Sequence, residues 1–502
     1  MVFRGKPSKA CQRCRDRKLR CDLRRSGCSP CLRVGAQCAG YRDTSTLRIT
    51  DQTQTVQAKA LSKAANPKHS HLPPSTPRSY ALSLEVQARN LFFAYYIADF
   101  SRTWDFLYPF FSSASTPEHL SLSIDAVSLA FLSHQVYSSS ALALSRQKYV
   151  SALRKTNTAL QCPNTARKAT TLDASLLLDL FENMTNSGIG FHDTNRAHVN
   201  GALALVKLRG LGDFTDTADV RALIRLILNH IISCVSKSDP VPKEIPKILE
   251  YAARLMDPMG PKWRLSGLMI EYTNLVSEMN KEGLGDAESV ERCVNLDARY
   301  EELARNMPPN WMFEKMKAEP KSERYFGEWW NRYPNRTLTQ TWNVLRLARI
   351  LLCEEIVERL GGESDDASVL ETQRAKTVIE TMTNEICASV PQMTDCNFAA
   401  KHKLPPPGYP PSESTIASTQ HLHTPSHYLD AYIMIYALYV AAWSRHCPPI
   451  TRIWIVRELD HIASHFRIKE AALVRDILVE EKEARVGPWE VYRLLGSYAF
   501  AA

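Results

Sequence analysis

From about Leu82 to the end of the chain, apolar side chains return every three or four residues, whereas the first 80 residues show no such rhythm. Leu84, Ala88, Leu91 and Tyr95 form one stripe, and Leu142, Tyr149, Leu153 and Leu160 form another. Leu177, Leu180, Phe181 and Met184 continue the pattern, as do Val199, Ala202, Leu203 and Val206, and later Leu345, Ala348, Leu352 and Ile356. A period near 3.6 belongs to amphipathic helices that turn one face to a core. Strand and hairpin signals are rare. Glycine supplies 19 of 502 residues, where average usage gives roughly 35. The fold class this predicts is all-α, with a large helical body over residues 81–502.

Two stretches interrupt or precede this body. Residues 49–80 are rich in Thr, Gln, Ser, Ala and Lys and end among Pro67, Pro73, Pro74 and Pro77, which reads as a flexible linker. Ile49 and Val56 lie seven apart, but no apolar heptad is sustained, so a dimerisation helix, and with it a homodimer, has little support here. Residues 397–427 carry Pro405, Pro406, Pro407, Pro410 and Pro411 and read as a long loop within the body. His421, His423 and His427 have no Cys, Asp or Glu at ligand spacing and are expected in that solvated loop. Tyr428–Trp443 is the most apolar run, but Asp430 breaks it and it falls short of the roughly 18 residues of a membrane span. It is expected to be a buried helix, and no membrane partner follows.

Charge separates the chain further. Residues 1–48 hold 13 Lys+Arg against 3 Asp+Glu, leaving 49 against 50 for the rest of a chain whose net charge is +9. A neutral body with a small basic head is the footprint of a nucleic-acid binder. Arg4, Lys6 and Lys9 sit on an arm at the start and add potential phosphate contacts.

The chemistry lies in this head. Cys11, Cys14, Cys21, Cys28, Cys31 and Cys38 follow the spacing C-x2-C-x6-C-x6-C-x2-C-x6-C, and displacing the first three by 17 residues lands on the second three. A structural zinc takes four ligands, so two zincs need eight bonds from six sulfurs and two cysteines must bridge. Pseudosymmetry nominates Cys11 and Cys28, which open the two halves. Arg13, Arg15, Arg17, Lys18, Arg20, Arg24, Arg25 and Arg33 surround the ligands with the cationic field that thiolates favour. Arg15–Arg20 and Leu32–Gln37, between the second and third cysteine of each half, have room for a short helix. The seven other cysteines, Cys162, Cys234, Cys293, Cys353, Cys387, Cys396 and Cys447, show no paired spacing and read as reduced core residues.

The six cysteines and the run RxRKxRCD resemble the fungal-type Zn2Cys6 binuclear cluster of fungal transcription regulators. The resemblance implies two Zn2+ per chain, Cys11 and Cys28 as bridges, and double-stranded DNA with CGG-like triplets as partner. It implies Lys18 as the reader of the triplet, and the surrounding charge assigns Arg15, Arg17 and Arg20 to phosphates. The family often has a proline two residues before the fourth cysteine, where this chain has Ser26. FLSHQVYSSSALALSRQKYVSALRKTNTAL, TLDASLLLDLFENM, HVNGALALVKLRG and TQTWNVLRLARILLCEEI resemble the helical fungal-specific transcription factor domain. His198 and Gly201 there read as packing residues, and Gly210 as a helix stop.

The expected function is a zinc-dependent, sequence-specific regulator of RNA polymerase II genes in the nucleus, working with transcription machinery or co-regulators. Family analogy extends this to a biosynthetic, secondary-metabolite gene cluster. An enzyme with a zinc-binding appendage is the alternative, but no HExxH, G-x-S-x-G, P-loop or Rossmann pattern occurs. A zinc-stabilised protein-interaction adaptor is another, although the basic run would then have no task.

Overall fold

The computed structural model describes residues 8–41, 82–112, 114–185, 197–256, 260–281, 283–318, 323–362, 364–396, 423–480 and 486–496. The linker, the arm at Arg4 and Lys6, His421 and the proline run at 405–411 lie outside them. The chain divides into two compact units, Met1–Ala81 and Leu82–Ala502.

The first unit holds two short helices, α1 (Gln12–Asp16) and α2 (Ser29–Leu32). Each begins directly after the first cysteine of its half, so Cys11 and Cys28 are N-caps and Cys14 and Cys31 sit on the first turn. This corrects the expected positions after the second cysteine, at Arg15–Arg20 and Leu32–Gln37. A C-x2-C pair spans one helical turn, which brings both sulfurs to one side.

The second unit is built from helices α3 (Leu84–Leu91), α4 (Glu118–Val136), α5 (Ser139–Leu160), α6 (Ala169–Thr185), α7 (Ala197–Arg209), α8 (Thr217–Val235), α9 (Glu244–Leu255) and α10 (Pro261–Asn280). It continues with α11 (Asp286–Arg305), α12 (Arg336–Leu360), α13 (Asp366–Ser389), α14 (Pro425–Trp443), α15 (Pro449–His465), α16 (Lys469–Val479) and α17 (Pro488–Leu495). One antiparallel hairpin, β1 (Glu314–Lys317) with β2 (Trp329–Arg332), pairs Glu314 with Arg332 and Lys317 with Trp329. The all-α expectation holds, with this hairpin as the addition among the described residues. None of the described helices is long and apolar enough to cross a membrane.

Helix α12 is the spine. It packs against α11, α13 and α14 and buries residues on every side, including Arg336, Arg346 and Arg349. Asn335 caps it by accepting the Leu338 amide at 3.1 Å. A buried guanidinium is tolerated only when it is paired, and each has partners from distant sequence. Arg349 donates to both oxygens of the fully buried Asp297 on α11, at 2.7 and 3.2 Å, and Arg374 of α13 donates to the same carboxylate at 2.9 Å. Arg346 reaches Glu385 of α13 at 3.0 Å. Arg336 bonds Asp430 and, at 2.9 Å, the Ser426 carbonyl, both on α14. Tyr428–Trp443 is thus the expected buried helix, and the Asp430 that interrupts its apolar run is an ion-pair partner.

The stripe expected on α5 is displaced. Leu142, Tyr149 and Leu153 are half-buried and Leu160 is exposed, while Ala141, Ser145, Ala152 and Thr156 are buried. Helix α5 packs on α4, and Ala141 there joins a buried cluster with Leu129 and Leu132 of α4. Small residues on α5 leave room for the leucines of α4, so the larger α5 side chains flank the contact instead of filling it.

His198, Gly201 and Gly210 act in packing. His198 Nε2 lies 3.3 Å from Glu182 and 3.2 Å from the Tyr149 hydroxyl. Gly210 follows α7 at φ +85°, the left-handed conformation that stops a helix. Arg209 beside it holds Asp219 through both carboxylate oxygens at 2.8 and 2.6 Å.

The α11–α12–α13 junction is testable through Asp297. Replacing it with alanine strands Arg349 in the interior, and losing one partner of a buried pair costs about 3–5 kcal/mol. D297A should therefore lower the thermal midpoint of the body by several degrees or more, measured by circular dichroism, while D286A, at an exposed pair with Arg359, should barely move it.

Candidate metal centre and nucleic-acid interface

The two halves of the head repeat atom by atom. The amides of Arg15 and Leu32 both donate to the carbonyl of the cysteine four residues earlier, Cys11 and Cys28, at 3.1 Å. After α1 the chain closes with Leu19 N–H on the Cys14 carbonyl at 2.8 Å and Lys18 N–H on Arg15 at 3.2 Å. After α2 it closes with Ala36 N–H on Cys31 and Gly35 N–H on Leu32, both at 3.1 Å. This is the Schellman pattern, which needs a left-handed residue just past the helix. Lys18 supplies it at φ +52° and Gly35 at φ +63°. The correspondence recurs at Leu23 and Gly40, with φ +56° and +84°.

This repeat brings the six sulfurs together. Cys11, Cys14, Cys28 and Cys31 are buried. Sγ of Cys11 lies 3.6 Å from Cys28 and 3.7 Å from Cys31, and Cys28 lies 3.6 Å from Cys14 and 3.9 Å from Cys38. Zn–S bonds of about 2.3 Å in a tetrahedron set sulfur edges of roughly 3.8 Å, so these spacings fit zinc. Two quartets have mutually close sulfurs, Cys11, Cys14, Cys21 and Cys28, and Cys11, Cys28, Cys31 and Cys38, and they share Cys11 and Cys28.

Electrostatics and hydrogen bonds support the arrangement. Burial pushes the Cys28 thiol up, so it needs a cation to exist as the thiolate that binds metal. The backbone amides of Cys28 and Gly40 draw Cys38 down to about 7. Asp22 ties the halves by accepting the Ser29 amide at 3.0 Å and its hydroxyl at 2.5 Å, and these bonds hold its carboxyl below the usual range. Between the halves, Ser26 leads into Gly27 at φ +117°, a conformation that requires glycine.

The basic residues take different positions. Arg13 turns inward and donates to the Pro30 carbonyl at 3.3 Å. Arg15 is half-buried and bonds Gln12. Arg17, Lys18 and Arg20 are exposed, and none forms an ion pair among the described residues. Lys18 is not on the helix but caps its end.

Two cysteines outside the head depart from expectation. Cys162 is exposed. Cys396 is half-buried beside His423 and His465, and His427 nearby is fully buried. The expectation that His423 and His427 belong to a solvated loop is therefore corrected. Local spacing carries no sign of the grouping, because Cys396 and His465 are 69 residues apart.

Residues 9–48 match the fungal Zn(2)-Cys(6) binuclear cluster domain, and residues 92–366 match the fungal specific transcription factor domain. The chain matches no curated protein and no solved structure. The second match alone spans more than half of the chain, and the first is the domain whose six cysteines hold two zinc ions. The chain therefore belongs to the fungal specific transcription factors, as a DNA-binding regulator whose head is built on a binuclear zinc cluster.

Proposed function

We propose that this protein reads a CGG-like triplet in double-stranded DNA with Lys18, anchors on phosphates through Arg15, Arg17 and Arg20, and regulates RNA polymerase II genes in the nucleus. Cys11 and Cys28 bridge two zincs, and Cys14, Cys21, Cys31 and Cys38 are terminal ligands. Both matched families are of transcription factors, which are typically not enzymes.

One observation carries the assignment of Lys18. The two halves share a backbone, and the second half fills the left-handed position with glycine, the residue that adopts it without strain. The first half places lysine there, against a steric cost of roughly 1–2 kcal/mol. The turn needs a left-handed residue but not a lysine, and of the two non-glycine residues held this way in the first half, Lys18 and Leu23, only Lys18 carries charge, which supports a task for its side chain. Lys18 lies past the helix end and is exposed, as are Arg17 and Arg20. Lysine or arginine on guanine O6 and N7 is the commonest specific contact in the major groove.

The helical body receives the signal or partner. An apolar cavity of about 100 Å³ among α8, α10, α12 and α17, lined by Ile231, Leu265, Met269, Val344 and Trp489, offers a place for a small apolar ligand.

The bridged cluster predicts unequal losses. Cys28→Ser should lower bound zinc by two ions per chain and Cys38→Ser by one, measured by elemental analysis. Equal losses would exclude a bridging role for Cys28.

Lys18 can be separated from its own backbone. Lys18→Gly should match or exceed the wild-type stability of the head, because it removes the strain, yet should bind CGG-containing DNA more weakly by about 1–3 kcal/mol while binding scrambled DNA almost unchanged. Arg17→Ala and Arg20→Ala should weaken both duplexes alike and make the salt dependence shallower by about 0.9 in slope each. Titrations at several salt concentrations check both, and a Lys18→Gly protein that keeps its preference for CGG removes Lys18 as the reader.

A further inference from the structure

A second set of soft ligands converges in the body. Cys396 Sγ lies 3.4 Å from His423 Nε2 and 3.1 Å from His465 Nε2, and the two histidine nitrogens are 3.2 Å apart. His427 joins them, with a ring nitrogen within 4.8 Å of the Cys396 and His423 ligand atoms. We infer that Cys396, His423, His427 and His465 bind a third zinc ion, a structural one in the helical body.

The geometry is that of a tetrahedral face. Zn–S of about 2.3 Å and Zn–N of about 2.0–2.1 Å place neighbouring ligand atoms roughly 3.3–3.6 Å apart, close to the 3.1–3.4 Å triangle of Cys396, His423 and His465. The head offers an internal comparison. There, sulfurs of an established zinc domain stand 3.6–3.9 Å apart, near their own tetrahedral edge. A thiolate with imidazoles is a donor set suited to zinc.

The surroundings hold the ligands in place. His423 precedes α14 and stacks on Phe466, with ring centroids 4.3 Å apart, and Phe466 meets His427 edge-on at 4.7 Å. His465 ends α15 and stacks on His461 at 4.7 Å. Arg324 bonds His461 Nδ1 and pairs with the buried Glu458 at 3.0 Å, so this polar shell fixes the ring that supports His465. Outer partners of this kind orient metal ligands. Four protein ligands leave no open position, which makes the site structural and not catalytic.

The consequence is a staple. Cys396 and His423 bracket residues 397–422, and His465 lies on a third segment, so one ion would tie α14 and α15 to the end of the segment following α13. Closing a long loop at a fixed point removes chain entropy from the unfolded state.

The test uses the full chain and separates this site from the head. Zinc content of the wild type should exceed that of Cys396→Ser by one ion, with the head cysteines undisturbed. On the wild type, alkylation of Cys396 followed by peptide mass spectrometry should run at least tenfold slower with saturating zinc than after chelation, while the exposed Cys162 reacts equally in both. A Cys396→Ser protein that retains all its zinc overturns the proposal. So does a Cys396 whose alkylation ignores zinc, and this second arm decides even if the variant fails to fold. Alkylation of the six head cysteines, read from separate peptides, reports the binuclear cluster independently.

Discussion

The head stands on a shortage of sulfur. Two tetrahedral zincs ask for eight thiolate bonds and the head supplies six cysteines. Among its described residues, Leu19, Leu23, Leu32 and Val34 are 43–59 % exposed, the buried side chains are cysteines, and Tyr41 packs half-buried against them. Small units with so little aliphatic core are commonly stabilised by a structural metal. Cys11 and Cys28, the two sulfurs common to both quartets, each open a helix in one half and face the sulfurs of the other. Asp22 on Ser29 and Arg13 on Pro30 add polar contacts between the halves.

Symmetry in the backbone makes the asymmetry in side chains informative. Both halves close with the same left-handed turn, yet the first puts Lys18 where the second has Gly35, and Leu23 where the second has Gly40. The second half uses the residues that favour its geometry. The first departs from them within the most basic run of the chain, and it is the departure, more than the charge, that distinguishes Lys18 from Arg17 and Arg20.

The body solves a different problem. Helix α12 is surrounded over most of its length, so Arg336, Arg346 and Arg349 are buried and must find carboxylates on other helices. Asp297, Glu385 and Asp430 provide them from α11, α13 and α14. An apolar interface tolerates sliding, but a bidentate guanidinium–carboxylate contact does not. The polar contacts therefore set the register of helices that hydrophobic burial merely assembles, and a regulatory domain with a fixed register is one whose changes of state can be discrete.

Sequence alone determined what depends on local spacing. The cysteine pattern contained the count, the pseudosymmetry and the ligand-to-metal ratio, and the 3.6-residue period contained the helical body. Local spacing could not place α1, because a helix that starts at a ligand is fixed by the cysteine that caps it, and the charge run at Arg15–Arg20 suggested a later start. It also could not choose between two adjacent stripes of α5, since close approach to α4 favoured Ala141, Ser145 and Ala152 over the larger Leu142 and Tyr149. Nor could it show Cys396 beside His465, or Arg349 on Asp297, pairs far apart in the chain. Such contacts exist only once the helices are packed, because their energy depends on distances across the fold, and no periodicity along one segment encodes them.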